Sequence, residues 1–128
     1  MRKALQTSLG ALLLTTSAVG ANPDAGREVF RQYCIGCHSI ECNRSGPQLR
    51  GLLGRTAGTV PDFKGYSEAM KNSGIVWNEE TLDAFLKDPV SIVPKSAMRT
   101  FRGLPDDNAR QDLIEFLSQP DTSLDLCF

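Results

Sequence analysis

The sequence has one histidine, one tryptophan, two tyrosines and three methionines in 128 residues, and no marked excess of charge of either sign. A single imidazole excludes any scheme that needs two histidines, whether as metal ligands or as paired acid and base. A net charge of −1 argues against a nucleic-acid surface. Beyond residue 21 no apolar run is long enough to span a bilayer. There is no internal repeat, no glycine pattern of a dinucleotide or phosphate loop, and no sustained strand alternation. With 41% hydrophobic and 23% charged residues, disordered, collagen-like and multi-span membrane chains are excluded as well.

Arg2 and Lys3 precede a mostly apolar stretch from Ala4 to Val19, in which Leu9, Leu12, Leu13 and Leu14 cluster, and then Ala18-Val19-Gly20-Ala21. Residues 1–21 therefore read as a secretory signal peptide cut after Ala21. A membrane anchor is the alternative, but the apolar core is short and broken by Thr15, Thr16 and Ser17. The remaining domain, residues 22–128, carries 12 Lys and Arg against 15 Asp and Glu, a net charge of −3. Export places it in an oxidising compartment, most simply the periplasm, where cysteines are paired or ligated. A domain of this size buries a modest core, so a bound group that fills the interior would stabilise it.

The pattern predicts an all-α fold with long loops. Residues 24–33 put Ala25, Val29, Phe30 and Tyr33 on one helical face, with Asp24 as N-cap. Residues 40–65 are rich in Gly, Pro, Arg and Ser and read as loop, which needs something besides its own backbone to hold it. Helical signals return over residues 66–72, ended by Gly74, and after Asn78, where Leu82, Phe85 and Leu86 form an apolar stripe that Pro89 stops. A last helix over residues 106–117 turns Ala109, Leu113, Phe116 and Leu117 inward.

Cys34-Ile35-Gly36-Cys37-His38 has the spacing of a c-type haem attachment site. Two cysteines on one turn can bond the two vinyl-derived positions of a porphyrin, which leaves His38 facing the iron. A thioredoxin-like pair needs a βαβ setting that is missing, and a zinc site needs further ligands. Because His38 is the only histidine, a second axial ligand must be another residue type, and methionine is the next choice. Met1 leaves with the leader and Met70 sits within a helical pattern, whereas Met98 lies in a proline-containing loop that can hold a thioether against iron. Cys42 and Cys127 are left over and most simply pair with each other, with free thiols or an intermolecular bond as alternatives.

From about Gly26 to Leu117 these residues resemble the class I cytochromes c of the mitochondrial and short bacterial periplasmic type. Besides the haem motif, Gly46-Pro47-Gln48-Leu49-Arg50-Gly51-Leu52-Leu53-Gly54-Arg55 is similar to the family's GPxLxGLxGR loop. Tyr66 to Ala69, Asn72 to Trp77, Thr81 to Pro89, Val93 to Met98, Phe101 with Gly103, and Arg110 to Leu113 follow in the family's order. The resemblance implies a cytochrome c fold of four to five helices around one haem c bound through Cys34 and Cys37. It makes His38 the proximal ligand, held by the carbonyl of Pro47, and Met98 the distal one. Arg55, Tyr66 and Trp77 would meet one haem propionate, Ser96 the other, and Phe101 would cover the haem edge. It also implies that Gly26 and Phe30 cross the last helix at Leu113 and Phe116.

The chain departs from that pattern at several points. The segment between His38 and Gly46 is short, and one residue is gained near Lys64-Gly65 and another near Arg99-Thr100. Phe85 stands for a common tyrosine and Met70 for a common asparagine, which predicts a drier distal pocket and a high potential. Ala97 replaces a usual lysine, leaving Lys95 as the candidate to replace Met98 at high pH.

The function implied is a soluble one-electron carrier, a monomer that docks transiently on redox partners. Those partners would be a membrane oxidase, a quinol-oxidising complex, a photosynthetic reaction centre or a periplasmic dehydrogenase. Lys64, Lys71, Lys87, Lys95, Arg99 and Arg102 are candidates for a basic rim that steers acidic partners, or are simply solvated charges. The rival reading is a peroxidase-like enzyme or ligand-binding haem protein with a dissociable Met98, against which stands the lack of a distal histidine.

Overall fold

A computed structural model describes residues 20–120 and Cys127; the expected leader, residues 1–19 of it, and the segment 121–126 lie outside the described residues. Five helices follow in order: α1 (Pro23–Tyr33), α2 (Glu68–Lys71), α3 (Glu79–Lys87), α4 (Pro89–Ile92) and α5 (Asp107–Ser118). Among the described residues there is no strand, and a single antiparallel bridge joins Thr56 to Val76.

The cap of α1 is Asn22, two residues earlier than the Asp24 the sequence implies: its side chain accepts from the backbone of Asp24 and Ala25, and Pro23 fills the first position. Asp24 is then simply an acidic residue of the first turn. The buried face is Gly26 and Phe30, four residues apart, packed on α5. A Cβ at position 26 would overlap the Asp112 carbonyl and sit 2.9 Å from Phe116 Cβ, so only glycine permits this approach. Phe30 and Phe116 then meet at a ring separation of 5.5 Å.

Two expectations need correction. Pro89 does stop α3, but with Asp88 accepting from the Ser91 backbone it also starts α4, since proline lacks only a donor that the first turn leaves unpaired anyway. Tyr33, placed by periodicity on the inner face of α1, leaves half its surface in solvent.

The loop between Ile40 and Gly65 is held from outside. Gly54 donates to Trp77, Trp77 to Arg55 and Ala57 to Ile75, so the loop pairs with the segment before α3. Leu49, Leu52, Ala57 and Val60 are buried beneath it. Cys42 is bonded to Cys127, with the two Cα atoms 5.8 Å apart across 85 positions of sequence.

On α5 the buried residues include Arg110, which periodicity does not place inside. Arg110 is 2% exposed, and its guanidinium bonds Asp83 at 2.7 Å, Asp107, and the carbonyls of Leu104 (2.7 Å) and Pro105 (3.1 Å). A buried cation needs that many partners, and they lock α3, α5 and the segment between them together.

Candidate functional site

The C-terminus of α1 runs straight into the CxxCH turn. Cys34 is its C-cap, and the backbone N–H groups of Cys37 and His38 both donate back to the Cys34 carbonyl. The turn is braced from below: the Gly46 N–H donates to the Cys37 carbonyl at 2.8 Å, and the Arg44 guanidinium reaches the carbonyls of Ile35 and His38. Nothing in the sequence pattern singles out Arg44, whose role depends on the loop folding back.

His38 is buried. Its Nδ1 lies 2.8 Å from the Pro47 carbonyl, and because a carbonyl can only accept, Nδ1 carries the proton. Nε2 is thereby left with its lone pair. Burial, against the pull of the Pro47 bond and with help from the charges of Arg44 and Arg55, lowers the His38 pKa, so the imidazole is neutral. A neutral imidazole with a fixed tautomer is the form that binds a metal. Gly46 makes the room, since a Cβ there would come within 2.5–2.8 Å of three atoms of the ring.

These residues open onto a cavity of about 530 Å³. All ten of the residues proposed from sequence line it: Cys34, Cys37, His38 and Pro47 from the attachment turn and its brace, Arg55, Tyr66 and Trp77 from the central loops, and Ser96, Met98 and Phe101 from the stretch after α4. Much of the remaining wall is apolar, with Leu49, Leu52, Leu82, Leu86, Leu113 and Leu117 among it. Phe85 and Met70 are also buried members of the wall, and no polar atom enters from either side chain. Met70 thus reaches the same cavity as Met98 rather than filling core alone.

Polar groups in the wall are few and aimed. Arg55 donates to the carbonyls of Gln48 and Arg50, both at 3.0 Å, and burial holds its pKa below the ordinary value, with Tyr66 opposing. A half-buried guanidinium of this kind is stabilised by an anion brought to it. The Tyr66 hydroxyl accepts from the Val60 N–H at 3.2 Å and keeps its own proton to donate. Ser96 is buried, and its hydroxyl accepts from the Met98 N–H at 3.2 Å, fixing the loop that carries the thioether.

The two attachment cysteines are free thiols in the chain itself. Burial, and then the neighbouring Cys37, push the Cys34 pKa up to about 12. That is the reverse of the depressed value a thioredoxin-like nucleophile needs. Among the described residues no group of three or more His, Cys, Asp or Glu is placed to hold a metal ion.

An apolar cavity with paired thiols on one wall, a neutral imidazole beside them and one half-buried cation suits a covalently attached porphyrin that carries carboxylates. The site is that of a c-type haem protein. Residues 21–117 match the family described as cytochrome C oxidase, cbb3-type, subunit III. Cytochrome c2 of Blastochloris viridis is 42% identical over 113 residues, which cover 84% of this chain and 87% of that one. Cytochrome c of Tetrahymena pyriformis is 47% identical over 94 residues, or 73% and 84% of the two chains. Among solved structures, cytochrome cH from Methylobacterium extorquens superposes with a TM-score of 0.72 at 36% identity, covering 77% of this chain and 98% of that one. The chain belongs to the class I cytochromes c, a family of electron carriers with covalently bound haem c, and Cys34 and Cys37 have the attachment spacing.

Proposed function

We propose that the protein is an exported one-electron carrier whose haem c is ligated by His38 and Met98. The observation that carries this reading is the convergence of His38, with its Nε2 lone pair available, and Met98, with its backbone held by Ser96, on one apolar cavity. Held by His38 and Met98, a haem c would have no open position for substrate and would supply one-electron exchange. The chain's own part is to fix that geometry. Pro47 orients the His38 imidazole, while Arg55, Tyr66 and Trp77 would hold one haem propionate, Ser96 would stand near the second, and Phe101 would cover the edge.

Residues 1–21 serve as a cleaved leader and residues 22–128 act in the periplasm, between a quinol-oxidising complex or dehydrogenase and an oxidase or reaction centre. The family match begins at residue 21, where this leader ends, and among the described residues no helix is long and apolar enough to cross a membrane.

The test is the optical spectrum of the protein exported with c-type haem maturation. The ferric form is expected to show the weak red band of methionine ligation, lost in Met98→Ala and retained in Met70→Leu. A high-spin spectrum in the unsubstituted protein overturns the carrier reading and turns attention to enzyme or gas-binding chemistry.

A further inference from the structure

We propose that Arg44 is a positioning residue for the haem: it clamps the attachment turn at the backbone of His38, and its charge raises the reduction potential. This rests on the reading of His38 as the iron ligand and deepens it. Backbone donors serve part of the turn, since the Cys34 carbonyl accepts from Cys37 and His38, and the Cys37 carbonyl from Gly46. The carbonyls of Ile35 and His38 accept from Arg44, both from the single nitrogen Nη1. One half-buried side chain thus joins a residue between the two cysteines to the histidine after them. Such charge-assisted bonds fix the turn where the chain's only imidazole leaves the backbone.

Holding a long side chain in one place costs rotamer freedom, and a rigid base keeps that cost small. The backbone that carries Arg44 is pinned on both sides. Its own N–H donates to the Gly46 carbonyl at 2.9 Å, and Cys42, two residues before, is bonded to Cys127. Between them Asn43 donates from Nδ2 to the Pro61 carbonyl at 3.0 Å, while its Oδ1 accepts from the Gln48 N–H at 2.9 Å. Arg44 Nη1 lies 3.3 Å from the His38 carbonyl oxygen, and covalent geometry puts that oxygen within about 7 Å of Nε2. A cation within roughly 10 Å of the ligating nitrogen disfavours ferric iron, which carries one positive charge more than ferrous. At an effective dielectric constant of about 20–40 the ferrous form gains about threefold to tenfold. For one electron that is roughly 30–60 mV.

The test is redox titration of the haem-loaded protein and of its Arg44→Gln and Arg44→Lys variants at about 10 mM ionic strength, where the Debye length is about 30 Å. Glutamine removes the charge and is two atoms shorter. Lysine is one atom shorter but keeps the charge and several donors on one nitrogen, which serves here because both bonds come from Nη1. Arg44→Gln is expected to lower the ferrous-to-ferric ratio at a fixed potential by about threefold to tenfold, with haem content and the methionine band unchanged. Arg44→Lys is expected to recover at least half of the shift in midpoint. An unmoved midpoint in Arg44→Gln, with only its denaturant resistance lowered, makes the contact merely structural and overturns the proposal. Equal shifts in the two variants overturn it as well. Should Arg44→Gln fail to take up haem, the unsubstituted ferrous protein decides by nitrogen-15 NMR at low temperature. A clamped guanidinium gives separate Nη resonances for Arg44, and resonances averaged by free rotation overturn the proposal. Absence of the methionine band from the unsubstituted protein would instead sink the carrier reading, and the same resonances would still decide the clamp.

Discussion

Pro47 holds His38 from one side while Gly46, the residue before it, leaves the space in which the ring stands. The carbonyl of Pro47 takes the Nδ1 proton at 2.8 Å, and the missing Cβ of Gly46 lets the imidazole lie against the backbone. Two adjacent residues therefore set both the tautomer and the position of the only histidine.

Gly46→Ala is expected to displace the ring and lengthen that hydrogen bond while leaving the haem attached. The Nδ1 proton resonance should weaken or shift. The midpoint potential should move by on the order of 60 mV, the one-electron equivalent of a tenfold change in relative ligand affinity. Redox titration and proton NMR check both.

At the helix crossing, Gly26→Ala places a methyl against the Asp112 backbone, which cannot swing aside as a flexible side chain would. The helices must separate at the Phe30–Phe116 contact, at a cost of roughly 1–3 kcal/mol. Urea unfolding of the holoprotein, followed by far-UV circular dichroism, is the measurement; an unchanged midpoint would mean that the crossing adjusts freely.

Replacing Cys42 and Cys127 together by serine removes a crosslink between residues 85 positions apart. The expected loss is about 2–4 kcal/mol, chiefly through a freer unfolded chain, with the visible spectrum unchanged. Denaturant unfolding at equal haem content reads the difference.

Asp107 is held below its ordinary 3.8 first by a hydrogen bond from Arg110 and then by that residue's charge. A carboxylate depressed in the folded state supports the fold above its unfolded pKa, and the support is lost as pH falls through the folded value. Asp107→Asn should therefore be less stable than the parent at pH 6, and the two should converge as the pH falls through the lowered folded-state pKa of Asp107. A gap that persists at low pH would assign the effect to packing.

Much of the site was legible because its residues sit at fixed spacings: CxxCH on a helix end, a Gly-Pro brace, a methionine after a proline-bearing turn. Those features survive without knowledge of the fold, and they converge on one cavity. Arg44 and Arg110 were not legible. Each reads as an ordinary surface cation until the carbonyls and carboxylates around it are brought together by chain segments distant in sequence. Tyr33 misled for the opposite reason. Helical periodicity assigns a face, but where α1 meets the cavity that face passes from packed interior to solvent. Pro89 carried two meanings at once, stop and start, and only the Asp88 cap decides that a new turn begins.

The Cys42–Cys127 bridge also imposes a sorting problem on biogenesis. Four thiols can form a single disulfide in six ways, and one alone, Cys42 with Cys127, leaves both Cys34 and Cys37 open for thioether formation. In a chain threaded N-terminus first into an oxidising compartment, Cys34, Cys37 and Cys42 arrive within nine residues of one another and Cys127 arrives last. Their correct partner for Cys42 is absent just when wrong partners are closest, so porphyrin attachment must outrun local oxidation, or a reductant must hold the three thiols apart until translocation ends.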